Sequence, residues 1–182
     1  MSRFEFNTVL VAIVLAFAIS EILTAWGRLI RNRKCVTSPG LFILASSWVL
    51  LAIVVHWFGL WAYEQASFNR LLETLLILLP ALVIALVCFV WVPDIPTSGA
   101  LNLEEHYFEA GSWTLPLIAL FMFLGAVADV SVPNVSFSTP FWLLAGWASV
   151  FLALRLSRRR SVHIGVFGAS WLLYLAAIGL RM

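Results

Sequence analysis

Apolar residues run through this chain in long unbroken stretches, not in the short alternations of a soluble fold. A helix needs about 20 mostly apolar residues to cross ~30 Å of hydrocarbon. Six stretches approach that length, at residues 7–27, 41–61, 71–91, 113–130, 140–156 and 162–180. Ser38-Pro39-Gly40 breaks the pattern after the first. Pro93, Pro96 and Gly99 break it after the third, and Pro133, Asn134 and Pro140 bracket the loop after the fourth. Continuous runs do not suit a barrel, whose strands alternate in polarity over about 10 residues. The pattern predicts an all-α, polytopic bundle of six spans forming one transmembrane domain over residues 1–182, with a short interfacial helix near 101–109.

Ala16-Phe17-Ala18 mimics a signal-peptide cleavage site. A signal peptide wants a positive leading region. Here Glu5 cancels Arg3 and apolar residues resume after Ser20, so the first stretch is expected to remain as a span.

Composition excludes whole classes of function. Apolar residues make up 63% and charged residues 11% of the 182, against roughly 45–50% and about 25% in soluble domains. Mean hydropathy is +1.01. Too little polar surface is present to coat a globule in water, which rules out a soluble enzyme, a secreted disulfide scaffold and a disordered tail. The net charge of +2 and the short basic runs do not suit a nucleic-acid binder.

Lys and Arg set orientation, because basic loops stay cytoplasmic. Arg28, Arg31, Arg33 and Lys34 fall in the first loop, and Arg155, Arg158, Arg159 and Arg160 in the fifth. Arg3, Arg70 and Arg181 fall at the other face if the spans alternate. Loops one, three and five are therefore expected inside and both termini outside. Tryptophan is enriched at membrane–water interfaces, so Trp26, Trp57, Trp61, Trp91, Trp113 and Trp142 are read as interfacial anchors. Trp48, Trp147 and Trp171 are read as packing between helices. Cys35 and Cys88 have neither metal nor disulfide spacing and read as free thiols. Residues 45–50 (ASSWVL) resemble 168–173 (GASWLL), but they relate spans running in the same direction, which suggests convergence of small packing residues rather than an inverted repeat.

An ionisable group inside a span costs about 2.5–3.5 kcal/mol on insertion scales and needs a partner or a job. Glu21 is one, with Arg28 two turns along the same face and Ser46 and Ser47 at similar depth in the next span. It reads either as a structural contact or as a proton or cation site. His56 and Glu73 lie at matched depth on consecutive spans, bordered by Trp57, Trp61, Tyr63 and Glu64, and are expected to pair. In the third loop, Glu105 and Glu109 share a helix face beside His106. Two carboxylates and one imidazole make a weak metal set. An interfacial helix with Leu103, Tyr107 and Phe108 in the headgroups is the plainer reading.

The stretch His56-Trp57-Phe58-Gly59-Leu60-Trp61, Pro80 in the third span and Glu104-Glu105-His106-Tyr107-Phe108 resemble a family of small uncharacterised bacterial inner-membrane proteins. The likeness covers roughly residues 20–125. It implies a topology and a bacterial inner (plasma) membrane, and no reaction. Similar sequences carry more basic residues after the His-Tyr motif, where this chain has Glu109-Ala110-Gly111.

No nucleophile motif, phosphate loop, haem-type His pair or dinucleotide fingerprint is present, so no cofactor and no catalytic residue is assigned. The best reading is a small ion- or proton-linked transporter or channel. A membrane sensor, scaffold or accessory subunit is the alternative, and an intramembrane enzyme is third. The expected partners are the lipid bilayer and a further copy of the chain or another membrane protein.

Overall fold

The structure is a computed structural model that describes residues 2–64, 71–94, 100–132 and 141–179, with side chains described as far as Leu175. It is an all-α bundle of six helices: α1 (Arg3–Arg31), α2 (Gly40–Gly59), α3 (Leu71–Trp91), α4 (Leu103–Ser131), α5 (Phe141–Leu154) and α6 (Arg160–Gly179). The first four are long and apolar enough to cross a membrane, and α5 is a shorter apolar helix. Loop punctuation at Pro96, Gly99, Pro133 and Asn134, and the expected span limits at residues 140 and 180, lie outside the described residues.

Local chemistry explains the helix ends. Ser2 and Glu5 form a reciprocal capping box at the start of α1, which satisfies two otherwise orphaned backbone N–H groups. Asn102 caps α4, accepting from the backbone N–H groups of Glu104 and Glu105 at 3.2 and 3.5 Å. Both glutamates stand where the helix dipole favours negative charge. The separate interfacial helix expected near 101–109 is instead the first turns of α4, which runs unbroken through Gly111-Ser112. Leu103 and Tyr107, expected in the headgroups, are fully buried.

Three loops meet at one end of the bundle. Val36–Thr37 (β1) and Leu101–Asn102 (β2) pair in parallel, joining the first loop to the third. The chain turns from β1 into α2 at Ser38, whose positive φ of 51° is uncommon for a non-glycine residue. Arg160 at the start of α6 bridges to Glu104 of α4 at 3.2 Å. Consecutive helices therefore alternate in direction, and the two basic runs share what is here called the basic end.

Packing follows from side-chain periodicity. The buried face of α1 is Asn7, Val11, Leu15, Ala18, Ile22, Ala25 and Leu29, a seam at steps of three and four residues. Beside it Phe6, Val9, Ile13 and Phe17 are exposed. A narrow buried seam on an apolar helix marks a position at the rim, with the rest turned to lipid. Helix α3 packs chiefly on α4 and α1, α4 also on α5, and α2 against α6. Ala45, Ala81 and Ala126 are fully buried, and small residues let helices approach closely where lipid supplies no hydrophobic drive. Trp48 of α2 is fully buried against the rings of Phe151 (4.8 Å), Phe167 (5.7 Å) and Tyr174 (5.9 Å), which ties α2 to α5 and α6.

Among the expected anchors, Trp61, Trp113 and Trp142 are exposed as a belt requires, and Trp57 is half-buried. Trp91 belongs to the core instead, 3% exposed and edge-on to Phe42. Trp26 is half-buried and donates its indole N–H to Ser46 Oγ at 3.0 Å. Cys35 is exposed and Cys88 buried, both free.

Paired strand residues sit within reach of a disulfide, so the convergence of loops one and three can be tested directly. With Cys35 and Cys88 replaced by serine, Val36→Cys with Leu101→Cys should cross-link on mild oxidation, read as a retained full-length band after cleavage between the two sites. A Val36→Cys, Trp142→Cys pair should not.

Candidate functional site

The polar groups of the bundle concentrate at its two ends. At the basic end, His163 of α6 is 1% exposed and uses both ring nitrogens. Its Nε2 lies 2.8 Å from the Ser157 carbonyl and its Nδ1 2.7 Å from the Tyr107 hydroxyl. A carbonyl only accepts, so Nε2 donates, and in the neutral ring Nδ1 accepts from Tyr107. His106 Nε2 is 2.9 Å from the Trp91 carbonyl, near the end of α3, where a donor is needed. Glu21 pairs with Arg28 at 3.6 Å, both about one-third exposed. These contacts tie α4 to α3 and to α6, close to the basic loops.

These bonds reassign several expected site residues. Ser46 receives Trp26 and donates within its own helix, and Ser47 bonds the Leu44 carbonyl. The serines therefore serve helix packing, while Glu21 takes its ion pair from its own helix. Glu105 and Glu109 are exposed while His106 turns inward to Trp91, so the three do not converge. Among the described residues no group of three or more His, Cys, Asp or Glu is arranged to hold a metal ion.

The opposite end is built differently. Asn7 of α1 donates to Thr74 of α3 at 3.3 Å. Beyond α2 a single 3-10 turn, Leu60–Tyr63, brings the Tyr63 hydroxyl to Asp129 near the end of α4, where it donates a short hydrogen bond. Beside this pair lies a partly open cavity of about 130 Å³ lined by residues of α2, α3, α4, α5 and α6. Tyr63, Asp129, His56 and Tyr174 supply its polar corners, and Leu76, Phe121, Met122 and Leu144 much of its apolar wall.

His56 meets Phe121 of α4 edge-on at 5.5 Å. Its Nε2 is buried with no hydrogen-bond partner among the described residues. The expected bond to Glu73 is therefore not made through that atom. Glu73 stands half-buried in the first turn of α3, a helix that packs mainly on α4 and α1 rather than on α2. Pro80 adds a further polar feature. Proline has no N–H to donate four residues back, so the carbonyl of Leu76 loses its helical donor, and both residues line the cavity.

Asp129 and His163 had sequence signals that were missed. Each falls inside a predicted span, at residue 129 of 113–130 and 163 of 162–180, but within a turn of its end. Comparison with known proteins gives no matching family model, no similar curated protein and no similar solved structure. The site is therefore argued from its own chemistry.

Tyr63→Phe removes one donor from a carboxylate at the edge of an apolar bundle. Losing such a partner costs about 1–3 kcal/mol. The variant should unfold earlier in a detergent thermal melt, whereas Asp129→Asn, whose amide still accepts from Tyr63, should lose much less. Equal losses would show that the hydroxyl–carboxylate bond is not what stabilises this end.

Proposed function

We propose that the chain is a six-span bacterial inner-membrane protein, with both termini outside, that moves protons or a small cation through the cavity bounded by His56, Tyr63 and Asp129. The observation that carries this reading is one cavity lined by an acid, Asp129, by His56, whose Nε2 has no partner among the described residues, and by Leu76 and Pro80, where proline removes a helical donor. Intramembrane ionisable groups mark proton relays and ion paths, and interrupted helices supply the carbonyls that take cations in transporters.

Asp129 is the switch in this mechanism. As a carboxylate it only accepts, and Tyr63 donates to it. Once protonated it becomes a donor itself, so the Tyr63 hydroxyl must reverse or leave. Tyr63 sits on a single 3-10 turn, so its movement changes the mouth of the cavity without unwinding a long helix. His56 Nε2 offers a second proton-binding atom on the same wall. The gathering of Arg28, Arg31, Arg33, Lys34, Arg155, Arg158, Arg159 and Arg160 at one end supports the orientation, with that end cytoplasmic.

An accessory-subunit reading draws on a different observation. The outer face of α1 carries a shallow groove lined by Ala16, Ser20, Thr24 and Gly27 together with Ile19, Leu23 and Arg31, and small residues among them are of the kind that seat a second transmembrane helix.

Purified protein in liposomes with an internal pH dye and a potassium–valinomycin potential tests the transport reading. The wild type should acidify or alkalinise the lumen according to the sign of the potential. Asp129→Asn should reduce the rate to that of empty liposomes, and Glu21→Gln should leave it unchanged. A wild-type rate equal to that of empty vesicles would sink transport. Orientation is tested separately: a reporter fused after Met182 should be active outside the cytoplasm, and activity only inside would reverse the topology.

A further inference from the structure

A second cavity opens at the basic end, unrelated to the transport reading. It measures about 100 Å³ and lies between the N-terminal third of α4, the end of α5 and the start of α6. Arg155, Arg158 and Ser112 supply polar lining, and Phe108, Leu115 and Leu154 supply apolar lining. Its floor is fixed, because His163 and Tyr107, which also border it, are locked to each other and to the Ser157 carbonyl. Acids do not neutralise it: Glu104 is taken by Arg160, and Glu109 points to the exposed face.

The depth of this cavity matters. Ser112 and the adjacent Trp113 lie about 15 Å along α4 from its first turn at 1.5 Å per residue. Trp113 is 72% exposed, as befits an indole in the interfacial belt. Two arginines beside an apolar wall at the level of that belt match an amphiphile, with an anionic head and a greasy body, better than a freely dissolved ion. Basic pockets between transmembrane helices take anionic lipid headgroups, and the guanidinium fork suits phosphate oxygens in particular.

We propose that this cavity is a binding site for the phosphodiester headgroup of an anionic phospholipid, with Arg155 and Arg158 holding the phosphate and Phe108, Leu115 and Leu154 flanking the glycerol and upper acyl chain. Ser112 lines the pocket with its hydroxyl donated to the Glu109 carbonyl at 2.8 Å, so a larger side chain there would take up pocket space.

Native mass spectrometry of the full chain in neutral detergent, titrated with phosphatidylglycerol or phosphatidylcholine, tests this. Phosphatidylglycerol should bind on the order of tenfold more tightly than phosphatidylcholine, as expected for two basic groups at an anionic surface. Arg155→Gln with Arg158→Gln should abolish that preference. Ser112→Leu should do the same by filling the pocket while every charge remains. Arg31→Gln with Arg33→Gln, which removes equal charge elsewhere at the same end, should preserve it. The proposal fails if Ser112→Leu or the Arg155/Arg158 variant keeps the preference, or if the Arg31/Arg33 variant loses it equally. Displacement of the lipid by millimolar inorganic phosphate would equally overturn it, making the pocket a site for the free anion.

Discussion

Inside hydrocarbon a polar group has only the protein to bond with, and that constraint orders this molecule. The middle of the bundle is aromatic, built on Trp48 and the rings around it. Polar side chains are pushed toward the two ends, where they bond across helices instead of to water. At the basic end the bonds run from Trp26 to Ser46, His106 to the Trp91 carbonyl, Tyr107 to His163 and His163 to the Ser157 carbonyl. Among the described residues, buried polar atoms without a partner occur at both ends: Arg28 Nε and Trp91 Nε1 at the basic end, His56 Nε2 at the other. What sets the second end apart is that His56 lines a cavity together with Tyr63, Asp129 and Pro80.

The same constraint explains what was legible in the sequence. Uninterrupted apolar runs place α2 and α3 almost residue for residue, because crossing length leaves little freedom. Charge misled at α4. Glu104, Glu105 and Glu109 read as a surface segment, yet the two first-turn glutamates stabilise a helix start, and the apolar helix simply continues beneath them. Tryptophan misled in part as well, since position near a span end does not say which face the ring takes. Trp113 faces outward and Trp91 inward although both lie at the basic end.

The candidate site was harder to read because it is a property of helix neighbours, not of chain order. His56 and Glu73 are close in sequence and matched in depth, which favoured pairing them. In the bundle His56 meets Phe121 of α4, and α3 packs mainly on α4 and α1. Tyr63 and Asp129 stand far apart in the chain and meet because the 3-10 turn after α2 reaches across to the end of α4. No periodicity encodes that meeting. It depends on how far one loop reaches and on which helix lies across from it.

The rim helix has a consequence for how the protein is made. Helix α1 finds its main partner in α3, not in α2, and Asn7 bonds Thr74 across that interface. During synthesis α1 emerges before α3, and its partner does not exist until two further helices have left the ribosome. In the interval its seam of Val11, Leu15, Ala18 and Ile22 faces lipid, which is tolerable because those residues are as apolar as the acyl chains around them. Asn7 is less comfortable, but it stands in the second turn of α1, near that helix's end, and waits there until α3 arrives. The nascent chain can therefore wait as separate inserted helices without exposing a costly polar surface, and assembly is timed by the appearance of the third helix.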